Sequence, residues 1–176
     1  MGFFDAFRKP KLSNNEVLQL LSSATIGISE KISELLTVDY QDDIKKVETQ
    51  ALAAFFTTRS YFAVIAYGSS IEQISDNFAK FIYMWGYHIS NVDYSDPKIV
   101  YDMQHGVGLD WHPWLRERLE HYKEVHEKDR ILTTIDSYLQ LVNTPCNIMH
   151  KLECEMYIRT KTAGLTTMFI TGKVPT

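Results

Sequence analysis

Residues 43–89, DIKKVETQALAAFFTTRSYFAVIAYGSSIEQISDNFAKFIYMWGYHI, decide the fold class. The first half places Ile44, Val47, Ala51, Ala54, Phe55, Thr58, Phe62 and Ile65 at steps of three and four. The second half repeats the step with Ile71, Ile74, Phe78, Phe81, Ile82, Trp85 and Ile89. That period lines side chains along one face of a helix. Between the halves stands Tyr67-Gly68-Ser69-Ser70, a glycine suited to a left-handed helix end followed by a capping box from Ser69 to Glu72. The stretch reads as a helical hairpin whose second arm, with Tyr83 and Tyr87 on its other side, is the central helix. Stripes so wide need other helices over them, so the chain is expected to be all-α: a single-domain bundle of five to six helices around this hairpin, about 43–90.

Outward from the hairpin, helix signals continue. Ser13-Asn14-Asn15-Glu16 is a capping box. The stripe after it, Val17, Leu21, Ala24, Ile28, Ile32 and Leu35, is interrupted by Gly27, where a kink or break is expected, and ends near Thr37. Asp39 or Gln41 starts the next helix, with Asp42 and Asp43 in its first turn. Asp96-Pro97 opens a short helix to His105. Asp110-Trp111-His112-Pro113-Trp114 starts what reads as one long helix, to about Asn143, whose first half is unusually charged: ten of the fifteen residues from Arg116 to Arg130, five of each sign. Thr144-Pro145 precedes a last helix with Ile148, Met149, Leu152 and Met156 as its packing stripe, ended by Gly164. The resulting division is 1–12, an aromatic and basic segment; 13–164, the bundle; and 165–176, a β-branched tail.

Composition narrows the function classes. The chain has 176 residues, 45% of them apolar, enough for one domain with its own core. The formal charge of −4 is uneven. Residues 12–110 hold six cations and thirteen anions, a balance of −7, and no basic stripe. Nucleic acid as a partner is excluded by that balance, because phosphates demand clustered lysine and arginine. No apolar run approaches the roughly 18 residues of a membrane span, and no secretory core follows the start. Cys146 and Cys154 on one helix would stand about 12 Å apart, too far for a disulfide. Two free thiols point to a cytoplasmic protein.

Several constellations carry chemistry in principle. Cys146, His150 and Cys154 at i, i+4 and i+8 are metal-ligand types, although the outer pair is too far apart on a straight helix to share an ion. His121-x-x-Glu124 and His150-x-x-Glu153 reverse the order used by di-iron bundles, and Glu48, Glu72 and Asp76 lie off the apolar stripes. His105, closing a short helix before Trp111, His112 and Trp114, has a position from which a haem iron could be ligated. No phosphate loop, nucleophile elbow or zinc motif is present.

The expected function is therefore a non-enzymatic protein–protein interaction module, such as an adaptor, inhibitor, immunity-type or assembly component, that binds another protein or itself. The alternative is a metal- or haem-binding bundle using histidines of residues 105–150; no cofactor is otherwise called for. Expected contact residues are Phe3, Phe4, Phe7, Trp111, Trp114 and Tyr122. Phe3, Phe4 and Phe7, next to Arg8, Lys9 and Lys11, also suit peripheral contact with a membrane, or docking on the protein's own body.

Overall fold

A computed structural model describes residues 12–65, 97, 113–127 and 130–172. The described residues form an all-helical bundle of five helices: α1 (Asn14–Leu36), α2 (Asp43–Ile65), α3 (Pro113–His126), α4 (Ile131–Leu141) and α5 (Ile148–Thr171). The second arm of the sequence hairpin and its glycine turn lie outside the described residues. So do Phe3, Phe4, Phe7, Trp111, His105 and His112.

The central helix of this bundle is α2. From Glu48 to Tyr61 every residue but Arg59 is buried. A helix enclosed on all sides has to hide its own polar groups, and α2 does so by back-bonding. Thr49 donates to the Lys45 carbonyl, Thr58 to that of Ala54 and Ser60 to that of Phe56. Ala51, Ala53 and Ala54 leave room for close neighbours.

Around it, α1 is fixed at its start by the expected box. Ser13 Oγ accepts from the Glu16 amide, and Glu16 reaches back to the Ser13 amide at 2.7 Å. No break occurs at Gly27; α1 is a single helix that closes at Thr37 in the left-handed region (φ 56°). Val17, Leu21, Ile28, Ile32 and Leu36 reach the core. Asp42, rather than Asp39 or Gln41, starts α2, its carboxylate accepting from the amides of Ile44 and Lys45.

The long helix expected to start at 110–114 and run to about 143 is two helices among the described residues. Arg130 is extended (φ −111°, ψ 94°), and α3 and α4 fold back on each other. His121 meets Ser137 at 2.8 Å and His126 meets Thr134 at 2.9 Å, a pairing that runs antiparallel. The physical reason is a phase break. Leu115, Leu119, Tyr122 and His126 form one stripe, and the sequence continues it with two charged residues, Asp129 and Arg130. A new stripe begins at Ile131 with Ile135, Tyr138 and Leu139. The charged side of α3 is its solvated face and does not project beyond the bundle.

Two further expectations are corrected at α5. It runs through Gly164 to Thr171 and is capped by Gly172 (φ 64°), so residues 165–171 are helix rather than tail. It also presents the other face. Cys154, Ile158 and Leu165 are buried, while Ile148, Met149, Leu152 and Met156 are exposed.

Candidate functional site

Titratable groups with displaced pKa values gather where α2, α3 and α4 meet. Glu48, expected to lie off the stripe, points inward, and Arg118 of α3 donates from Nε to both its carboxylate oxygens at 3.0 Å. Burial pushes the Glu48 carboxyl up, and Arg118 only partly offsets this. Beside it, Tyr138 of α4 donates its hydroxyl to Thr49 at 2.5 Å, because the Thr49 proton is already given to Lys45. Tyr122 of α3 is also enclosed, and among the described residues its Oη has no hydrogen-bond partner. Burial raises both tyrosine pKa values, and the Glu48 charge adds to the effect. Perturbed groups in a cluster are one sign of a catalytic site. Here Tyr122 and Tyr138 are 0% exposed and Glu48 is 6% exposed, so a substrate has no way to touch them. The cluster joins three helices, Glu48 and Thr49 of α2 to Arg118 of α3 and Tyr138 of α4.

Tyr122 was expected at a partner surface; its ring lies in the core, 5.9 Å from that of Phe55, because the charged residues around it occupy the opposite side of α3. Trp114 is half-buried against the core, with the Arg118 guanidinium 5.7 Å from its ring centroid.

The three expected metal ligands do not converge. Cys146 precedes α5, whose cap is Asn147, so the helical spacing assumed for it does not apply. Its Sγ–H points to the Asn147 carbonyl at 3.6 Å. Cys154 faces the core, and burial pushes its thiol up to about 12, whereas metals bind the thiolate. His121 and His126 are taken up by Ser137 and Thr134, and His126 is also boxed by the edges of Phe55 and Phe56. Among the described residues, no three histidine, cysteine, aspartate or glutamate side chains come together as a metal ion requires.

The other concentration of unusual residues is the outward face of α5. Ile148 is 60% exposed, Met149 61%, Met156 69% and Ile170 48%, with Leu152 at 38% and Ala163 also exposed. At 100° per residue these positions fall on the side of α5 roughly opposite Cys154, Ile158 and Leu165, with Ile148 on its flank. Thus α5 is apolar on two faces and spends only one of them on the core. Ile148, Met149, Leu152 and Met156 lie together over about 12 Å of the helix, and Ile170 stands about 21 Å beyond them. Next to the stripe, between α5 and the last turns of α2, lies a cavity of about 300 Å³ bordered by Phe56, Ser60, Ile131, Arg159 and Ala163. A second hollow, about 420 Å³, lies between α2 and α3, lined by Phe55, Thr58, Phe62, Leu119 and Lys123. Reading the sequence found the α5 stripe and assigned it to the core. The signal for the buried face was the second row, Cys154, Ile158 and Leu165, at spacings of four and seven.

No described helix is long and apolar enough to cross a membrane. Comparison with protein families, with curated proteins and with solved structures found no match.

Proposed function

We propose that this protein is a non-enzymatic interaction module whose contact surface is the outward face of α5. The observation that carries the reading is the exposure of Ile148, Met149, Leu152 and Met156 on one side of a helix whose other side already supplies its share of the core. Leaving four large apolar side chains partly in water forgoes burial, and a contact surface is the usual reason for such a patch. Two of the four are methionines, whose flexible thioether side chains fit themselves to a partner. The buried polar layer at Glu48 supports the same reading from the other side: the most perturbed groups of the described residues are sealed inside and hold helices together.

A photo-crosslinking amino acid placed at Met156, and as a control at Glu117 on the charged face of α3, tests this in cells. Crosslinks from position 156 to another polypeptide, a second copy included, and none of that kind from 117 are expected. Crosslinks from 156 that stay within one chain, or none at all, would overturn the reading.

A further inference from the structure

We propose that the cavity where α2, α3, α4 and α5 meet binds a small hydroxylated oxyanion, a polyol carrying a phosphate or carboxylate group. Arg59 and Arg159 take the anionic end, and the hydroxyl oxygens of Ser60, Thr162 and Thr166 take the hydroxylated end. The cavity holds about 300 Å³, the lower end of the range for small-molecule sites. Its floor is buried: Phe56 and His126 are 2% exposed and Ser60 is 4% exposed. Its rim, which includes Arg59 and Arg159, is open to solvent. A ligand in solution therefore reaches this cavity, as it does not reach the sealed cluster at Glu48.

The charge of the cavity runs against that of the chain. The protein carries −4 overall, yet the described residues that line this cavity include two arginines and no acid. Glu155 holds Arg159 from outside the lining, its Oε1 accepting from Nε at 2.9 Å and from Nη2 at 2.7 Å. A guanidinium has five N–H donors, so this pairing leaves three for another acceptor. It also fixes the head group, so less freedom is lost when an anion arrives. A cleft lined by one sign of charge and walled by apolar side chains focuses its field on a counter-ion. Phe56 and Ile131 supply such walls.

The hydroxyls define the other end of the ligand. Ser60 gives its proton to the Phe56 carbonyl at 2.9 Å, Thr162 to that of Ile158 at 2.7 Å and Thr166 to that of Thr162 at 2.9 Å. Each proton is committed within its own helix, so towards the cavity these oxygens can only accept. Acceptors oppose a bare oxyanion and favour a ligand that brings O–H groups of its own. Size narrows the class further. A volume of 300 Å³ is the liquid share of about ten water molecules, so the ligand has on the order of ten non-hydrogen atoms. A polyol phosphate or hydroxy acid of three or so carbons fits this limit, and a nucleotide exceeds it.

Calorimetric titration of the full chain at low ionic strength tests the site, with glycerol 3-phosphate and glycerate as probes. Saturable binding of either supports the site, and the tighter of the two identifies the oxyanion. Glycerol and inorganic phosphate should each bind more weakly by about tenfold or more, because each offers one half of the recognition. Arg59→Gln and Arg159→Gln should each weaken binding by a similar factor. Arg116→Gln, the same change of charge on the solvated side of α3, should leave it unchanged. In the unsubstituted chain, the methyl resonances of Ile131, Thr162 and Thr166 should move on titration, and that of Ile44, exposed on the first turn of α2, should not. That measurement carries the test even if a variant fails to fold. The proposal is overturned if neither probe saturates, if inorganic phosphate binds as tightly as glycerol 3-phosphate, if Arg116→Gln loses as much as the other two, or if those three methyls stay still. None of these outcomes bears on the contact surface of α5, which is tested separately.

Discussion

Arg118 and Glu48, 70 residues apart in sequence, are joined Nε to carboxylate at 3.0 Å and tie the charged helix α3 to the buried centre of α2. The pair explains how a helix carrying so many charges belongs to the bundle. One cation of α3 turns inward and finds its anion, and the rest stay in water. Because desolvation raises the Glu48 pKa despite Arg118, the folded state binds a proton at this position more tightly than the unfolded chain does.

The sign of the pH dependence follows. The stabilising contribution of a protonated Glu48 is fully present below the ordinary glutamate range and is lost as pH rises through its raised value. Glu48→Gln keeps an acceptor for Arg118 and removes the titration. Urea midpoints measured from pH 4 to 7 should therefore fall more in the wild type than in this variant. Equal slopes would count against a raised Glu48.

The two enclosed tyrosines should respond oppositely to loss of their hydroxyls. Tyr138→Phe removes a buried hydrogen bond to Thr49 and should cost about 1 kcal/mol. Tyr122→Phe removes an Oη that has no partner among the described residues, so it should be neutral or stabilising by up to about 1 kcal/mol. Thermal or urea unfolding of both variants checks the contrast.

Gly27 and Gly164 both stand inside helices, and a Cβ added to either would meet nothing within 4 Å. They border the same cavity, about 500 Å³, between α1 and α5. Since no close approach requires them, Gly27→Ala and Gly164→Ala should each stabilise the fold by about 0.5–1 kcal/mol through helix propensity and reduced unfolded-state entropy. Destabilisation by either would mean that this cavity receives another group at close range.

The two thiols should differ in reactivity. Cys154 is buried, with its thiol pushed up to about 12, while Cys146 is partly exposed and raised by a smaller desolvation. Iodoacetamide near pH 8 should modify Cys146 first, and Cys154 only once the chain unfolds. Peptide mass spectrometry over a time course reads the order directly.

The local period of the sequence determined that these segments are helices, and local chemistry determined where some begin: the Ser13–Glu16 box needs only four residues, and the Asp42 cap needs its own turn. Both are contacts within a few residues, so they are legible in the chain. The stripe of α1 also named its buried face, Val17, Leu21, Ile28 and Ile32, but for α5 only the tertiary structure decided which face is buried. α5 carries two apolar rows, and a period cannot say which one meets the core. Glu48 looked like a surface carboxylate until Arg118, far along the chain, supplied its counter-charge. Tyr122 looked like a contact residue until α3 was rotated against α2. The division of 113–143 into two helices stood between these cases. The phase break at Asp129 and Arg130 is written in the sequence, but only the return of α4 onto α3 gives it the meaning of a turn. Burial and charge pairing depend on residues distant in the chain, and a single sequence does not record which of them meet.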